Sequence, residues 1–426
     1  MFILDKMNIS DSLYRAKLWG KHMLKKFTEL SSPKARNLKL LYSLVRKLGP
    51  VKINRLTELT GFKHVTCARL LEELVDEGLI YDSGVGKSSG GRKPLMYVIK
   101  PDAYYLIGVE ITSFYTTVLL LDLKLNIVSV EKLKMTAECT GEYTLNYITA
   151  CVDQLLIQNN IPKDKLLGIG VGVLDRFDAE KGMITSTHSF PAGGWDINLV
   201  DYLKQTNNVP VFLDNGTDLA ALAEYRMNYW QDTDNIVFVS SDIGIRCGTI
   251  SQGRLITNKF EMEDAFGHII IDIHGRRCSC GAYGCLQAYS SLPAIRDEVI
   301  RLLKRGKASL LQEKLSNMED INFHHILYAL EQNDSLCLEV VEEAAYYFGV
   351  GLSNLIFLLR PEIVIFGGTL VPKPLFFEAA AKAASNRLTH YSSAKIKMVK
   401  SSDAYNIVAQ GAGCMVLDHY TEETPV

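Results

Sequence analysis

Apolar residues recur along the first hundred positions at helical spacing and then change texture. Residues 12–30 mix apolar and basic side chains and read as a helix that ends at Ser31-Ser32-Pro33. From Asn37 to Leu48 the positions Leu38, Leu40, Leu41, Leu44, Val45 and Leu48 predict an amphipathic helix, stopped by Gly49-Pro50. Asn54 caps a short second helix through Leu59, Gly61 supplies a turn, and a third helix follows from Lys63 to Glu77. Its expected buried residues are Val65, Ala68, Leu71, Leu74 and Val75. Two helices joined by a tight glycine turn are a helix-turn-helix pattern. Leu79–Tyr81 and Leu95–Ile99 then read as two strands. The segment between them, Gly84-Val85-Gly86-Lys87-Ser88-Ser89-Gly90-Gly91-Arg92-Lys93-Pro94, has the composition of a basic wing.

After Pro101 the pattern becomes that of strands alternating with helices. Strands are expected over Tyr105–Glu110, Thr116–Leu121 and Ile127–Lys132, with a helix from Glu142 to Gln158. Further strands fall at Leu167–Val173 and Val209–Leu213, and a helix at Asp218–Tyr229. The run Ile236–Ser240, Gly248–Ser251 and Arg254–Ile256 repeats the three-strand theme. The architecture is therefore α/β, with two related lobes in the body. Residues 1–100 form one domain and residues 101–426 the rest.

Charge sharpens this division. The chain of 426 residues has a net charge of −2, from 46 basic and 48 acidic residues. Residues 1–100 hold 19 Lys+Arg against 9 Asp+Glu, a net of +10; the remainder holds 27 against 39, a net of −12. A basic head on an acidic body predicts that the head meets a polyanion. In a winged helix the third helix enters the major groove and would present Lys63, His64, Thr66, Cys67 and Arg69. The wing would carry Arg92 and Lys93 to phosphate or minor groove. The same fold with solvated charges can also serve protein contacts. No stretch is long and apolar enough to span a bilayer, and Asp5 and Lys6 interrupt any signal-peptide core, so the expected location is the cytoplasm.

Three of the nine cysteines are clustered. Gly267-His268 is followed, after nine intervening residues, by Cys278-Ser279-Cys280-Gly281-Ala282-Tyr283-Gly284-Cys285. Three thiolates and an imidazole suit tetrahedral zinc, and four protein ligands leave no open position, so the site would be structural. The alternative is three free thiols in a loop beside an unrelated histidine.

This Gly-His…Cys-x-Cys-Gly-x-x-Gly-Cys pattern resembles the signature of the ROK family, which groups bacterial sugar kinases with transcriptional repressors. The wing, residues 88–94, is similar to that of the xylose-repressor and N-acetylglucosamine-repressor groups. Gly168-Ile169-Gly170-Val171-Gly172-Val173, Gly194-Trp195 and Ile365-Phe366-Gly367-Gly368 match further family segments, and the likeness covers about residues 36–415. The resemblance implies a winged helix-turn-helix followed by an actin-like, two-lobed ROK domain. It also implies zinc ligation by His268, Cys278, Cys280 and Cys285.

Measured against the kinases of that family, the catalytic positions are altered. The first phosphate loop becomes Gly108-Val109-Glu110-Ile111-Thr112-Ser113-Phe114, and the second becomes Asp242-Ile243-Gly244-Ile245-Arg246-Cys247-Gly248. With Ala220-Ala221-Leu222-Ala223-Glu224 setting the register, the general-base aspartate is replaced by Gly216, after Asn215. Glycine cannot take a proton, and general-base catalysis contributes about 10²–10⁴-fold. Two sugar-binding glutamates become Ala265 and Gln287. No catalytic residue is assigned. A thinned sugar pocket would retain Gly194, Trp195, Asn215, His268 and Gln287, although Trp195 and Gln287 are equally consistent with packing and a solvated amide. The expected protein is a DNA-binding repressor of sugar-use genes, acting on a duplex operator as a homodimer or homotetramer, with a sugar or a protein partner as its control.

Overall fold

The computed structural model describes residues 23–28, 32–84, 95–185, 190–193, 195, 197–257, 265–315, 317–371, 374–389 and 396–422. The chain divides into two compact units, residues 1–216 with 409–426, and residues 217–408. Among the described residues no helix is long and apolar enough to cross a membrane.

The first unit begins with the head. Helix α1 (Pro33–Leu48) starts at Ser32, whose hydroxyl accepts from the Ala35 N–H at 3.2 Å, and Pro33 occupies the first turn, where its missing N–H costs nothing. A short strand β1 (Val51–Lys52) leads into α2 (Ile53–Thr60). Gly61, at φ 70°, closes α2 with a left-handed residue and aims the chain into α3 (His64–Asp76). Strands β2 (Ile80–Asp82) and β3 (Met96–Ile99) complete an antiparallel sheet of order β1-β3-β2. Helices α1, α2 and α3 and this sheet stand where the winged helix-turn-helix is expected; β1 is the added element. The expected wing tip, including Arg92 and Lys93, lies outside the described residues.

The rest of the unit is an α/β lobe. Strands β4 (Tyr105–Ile111), β5 (Tyr115–Asp122) and β6 (Ile127–Lys134) form an antiparallel meander. Helix α4 (Gly141–Gln158) leads to β7 (Leu166–Val173), then comes a small hairpin, β8 (Phe177–Asp178) and β9 (Met183–Ile184). Helix α5 (Leu199–Asn207) and β10 (Val211–Asn215) follow, giving the sheet order β10-β7-β4-β5-β6 with β7 and β10 parallel to β4.

The second unit repeats that scheme. After α6 (Gly216–Glu224), strands β11 (Ile236–Ser241), β12 (Ile245–Ser251) and β13 (Arg254–Leu255) form the meander. Helices α7 (Leu292–Lys304), α8 (Phe323–Glu331) and α9 (Ser335–Leu359) intervene before β14 (Ile363–Gly367). Helix α10 (Pro374–Leu388) and β15 (Lys397–Lys400) complete a sheet of order β13-β12-β11-β14-β15. Strand for strand, order and direction match the first sheet. The doubled theme expected from the sequence is thus a repeated lobe topology. Its core is built on α9, whose Val341, Ala345, Phe348 and Leu352 pack with Val364 and Phe366.

The last helix, α11 (Ile407–Thr421), lies backbone-to-backbone on the first sheet. A Cβ on Gly108 of β4 would stand 1.9 Å from the Ala409 carbonyl oxygen, and one on Gly170 of β7 would stand 2.0 Å from that of Ala412. These two glycines therefore serve helix seating. Near its C-terminal end α11 meets α1. The buried Arg46 guanidinium lies 2.5 Å from Asp418 Oδ1 and donates to Thr421 Oγ1 at 2.9 Å, and the Ser43 hydroxyl donates to the Thr421 carbonyl. Burial works against the charge on Arg46; the Asp418 carboxylate overrides it and holds the guanidinium protonated.

Gly170→Ala is expected to cost about 2 kcal/mol or more, because a backbone oxygen cannot yield to the new methyl. A thermal unfolding midpoint equal to that of the parent chain contradicts the seating role.

Candidate functional site

Helix α3 buries Cys67, Leu70, Leu71 and Leu74. That stripe fixes which side chains face outward. Lys63, His64 and Arg69 are exposed and Thr66 is half-buried. Among the described residues none forms an ion pair or side-chain hydrogen bond with Lys63, His64 or Arg69. No acidic side chain lies in the first turn of α3, so the positive end of the helix dipole is not neutralised. Two expectations are corrected here. Cys67 is 0% exposed and is a packing residue, not a groove contact. Val65, expected in the core, is 79% exposed. The reason is phase: at 3.6 residues per turn, Val65 sits about 200° around the helix from Cys67. The 67/70/71/74 stripe carried that signal.

In the second unit, His268 ends a short helical turn (Ala265–His268), and the three cysteines come from the loop that follows. The loop closes through Cys278 N–H to the Ala282 carbonyl at 2.8 Å and Gly284 N–H to the Arg276 carbonyl at 2.8 Å. Gly284, at φ 75°, must be glycine, since a Cβ there would lie 1.7 Å from the Asp272 carbonyl oxygen. The result gathers one ligand atom each from His268, Cys278, Cys280 and Cys285 within 4.8 Å of one another. His268 Nδ1 lies 3.7 Å from Cys278 Sγ, and Cys280 Sγ lies 3.7 Å from Cys285 Sγ. A tetrahedral ion with metal–sulfur bonds of about 2.3 Å would place its sulfurs about 3.8 Å apart, so the donor set fits. The Ala282 N–H draws the exposed Cys280 thiol below its usual range, whereas burial pushes Cys285 up to about 12. A divalent ion would hold both as thiolates.

The remaining expected ligand residues fall in both units. In the first, Trp195 is buried beside Phe190, ring centroids 5.3 Å apart, and its indole Nε1 has no hydrogen-bond partner among the described residues. Asn215, 2% exposed, ends β10; Gly194 lies outside the described residues. In the second, Gln287 is engaged. Its carbonyl oxygen accepts from the Ile245 N–H at 3.4 Å, and its amide donates to Ser279 Oγ at 3.5 Å. It ties the metal loop to the start of β12.

Both candidate phosphate turns satisfy themselves. In the β4–β5 turn the Thr112 hydroxyl accepts from the N–H groups of Phe114 and Tyr115, at 3.2 and 3.0 Å, and donates to the Tyr115 carbonyl. In the β11–β12 turn the half-buried Asp242 carboxylate accepts from both the N–H and the hydroxyl of Thr369, at 2.8 and 2.5 Å. Desolvation raises the Asp242 carboxyl above its usual range, against the pull of these bonds and of Arg246. Gly216, expected at the general-base position, begins α6. Neither the Thr112 turn nor the Asp242–Thr369 pairing was visible in the sequence, because each depends on how the turn closes.

An α/β body with this repeated topology, and with one histidine and three cysteines grouped so that they could hold a metal ion, defines a class, and likeness to known proteins names it. The family profile of ROK matches residues 106–419, and the chain belongs to the ROK family. The xylose repressor of Bacillus subtilis strain 168 is 28% identical over 388 residues, covering 91% of this chain and 96% of that protein. The DNA-binding transcriptional dual regulator NagC of Escherichia coli K12 is 26% identical over 337 residues, covering 79% of this chain and 81% of its own. Among solved structures, a ROK family transcriptional regulator, a homologue of the E. coli MLC protein, superposes with a TM-score of 0.73 at 22% identity, over 90% of this chain and 96% of that one. A ROK family glucokinase from Streptomyces griseus, in complex with glucose and AMPPNP, gives 0.60 at 22% identity over 73% of this chain and 98% of its own. These two likenesses concern the fold.

Cys280→Ser is expected to lower bound zinc, measured by elemental analysis, and the unfolding midpoint together. Full zinc occupancy in that variant contradicts the ligand assignment.

Proposed function

We propose that the chain is a sequence-specific DNA-binding transcriptional regulator, a repressor of sugar-use genes whose ROK body answers to a sugar-type effector. The observation that carries the reading is the outward face of α3. Lys63, His64, Thr66 and Arg69 stand there with no carboxylate in the first turn, on a head of net charge +10 from 19 basic and 9 acidic residues. The roles printed in the names of the xylose repressor and NagC support it. In this reading α3 enters the major groove and Arg92 and Lys93 of the wing neutralise phosphate. The resemblance assigns effector contacts to Gly194, Trp195 and Asn215 of the first unit and to His268 and Gln287 of the second, and the Trp195 Nε1, with no partner among the described residues, offers a donor for a hydroxyl. His268, Cys278, Cys280 and Cys285 hold a structural Zn2+. A palindromic operator would be met by a homodimer or homotetramer in the cytoplasm.

The body is not an enzyme in this account. Gly216 offers no base, the Thr112 hydroxyl takes the N–H groups of Phe114 and Tyr115, and the Asp242 carboxylate would set a like charge beside a phosphate. Incubation with ATP and a sugar panel is expected to yield no phosphosugar. The same sugars, tested by thermal unfolding, should include one that stabilises the chain, by about 2.7 kcal/mol at 100-fold its dissociation constant. Phosphosugar formation would overturn the reading, and the absence of any stabilising sugar would move control to a protein partner.

Arg92→Ala should weaken operator binding and flatten its dependence on salt, by about 0.9 in the log–log slope for each phosphate that is no longer neutralised. An unchanged slope removes the wing from the phosphate backbone.

A further inference from the structure

The outward face of α3 carries one residue that the charge argument leaves unexplained. Val65 is 79% exposed, matched among the large apolar side chains of the described residues only by Leu358, also at 79%. It lies in the first turn of the helix, between His64 and Thr66 and one turn before Arg69. An apolar side chain at such a position loses free energy to water for as long as the protein is unbound. It makes no contribution to the head's core, which is supplied by Cys67, Leu70, Leu71 and Leu74 on the other side of the helix. The fully exposed residues beside it on the helix, Lys63, His64 and Arg69, are polar or cationic.

We propose that Val65 reads the 5-methyl group of a thymine in the major groove, and so sets part of the operator sequence. The inference rests on the DNA-binding function proposed above and names what one side chain recognises. The chemistry selects the target. The major-groove edges of the bases present hydrogen-bond donors and acceptors, and thymine alone adds an apolar group, its C5 methyl. Valine is suited to meet it. Its two methyls branch at Cβ, and in a helix one χ1 rotamer dominates, so little rotamer freedom is lost on contact. Thr66, which is half-buried, and the cations Lys63 and Arg69 would address polar edges and phosphates around it.

The test uses the full chain and a randomised duplex library. The wild-type protein first selects its site. Synthetic duplexes of that site then carry deoxyuridine in place of each thymine in turn, which removes only the methyl. For wild type, one such replacement per half-site should weaken binding about fourfold, the worth of one buried methyl group. Val65→Ala should bind the parent site more weakly by a similar factor and should be indifferent to the same replacement. Its own selected sites should lose the preference for thymine at that position. Equal unfolding midpoints for the two proteins check that the head is intact. The proposal is overturned if wild type tolerates every thymine-to-deoxyuridine change, or if Val65→Ala is as sensitive as wild type. A different failure, in which wild type enriches no sequence and binds all duplexes alike, would overturn the DNA-reading function itself and this inference with it.

Discussion

The head and the first lobe depend on the seating of one helix. Helix α11 reaches the strands beneath it only because Gly108 and Gly170 lack Cβ atoms, and at that distance its carbonyls rest on bare backbone. Its C-terminal turns then hold α1 through the buried Arg46–Asp418 pair and the Ser43–Thr421 bond. A buried ion pair is weak evidence for stability, since desolvation consumes most of the attraction. Breaking one is costly, because the surviving charge is left uncompensated. The pair therefore acts on geometry: it admits one placement of α1 against α11, and α3 packs on the same small core as α1.

Two turns where the family resemblance places phosphate loops are bonded by the chain's own groups. Thr112 folds its hydroxyl into the first turn, and Asp242 crosses from the end of β11 to Thr369 after β14. In the first turn the N–H groups of Phe114 and Tyr115 already have the Thr112 hydroxyl as acceptor. The metal loop keeps its donor set, and Gln287 has become a strut between that loop and β12. The His/Cys cluster that could hold a metal is present in the second unit, and the proposed reading is that the kinase chemistry is not.

Local pattern made much of this legible. Short apolar runs marked the strands of both meanders, the glycine turn marked the helix-turn-helix, and the spacing of His268, Cys278, Cys280 and Cys285 marked the cluster that the fold brings together. What escaped were relations that span the chain or depend on phase. Arg46 and Asp418 are 372 residues apart, and Asp242 and Thr369 are 127 apart. Gly108, read in a phosphate loop, and Gly170, read in a glycine-rich strand, both accommodate a helix. Cys67 and Val65 exchanged roles because the inward stripe of α3 starts at Cys67; a valine two residues earlier falls on the opposite side.

Occupancy of the native chain across the genome of its own cells tests the central claim most directly. The account predicts discrete sites that share a two-fold-symmetric sequence, lie beside sugar-use genes, and change occupancy when the effector sugar is supplied. Diffuse occupancy with no shared sequence, unaltered by any sugar, would contradict it.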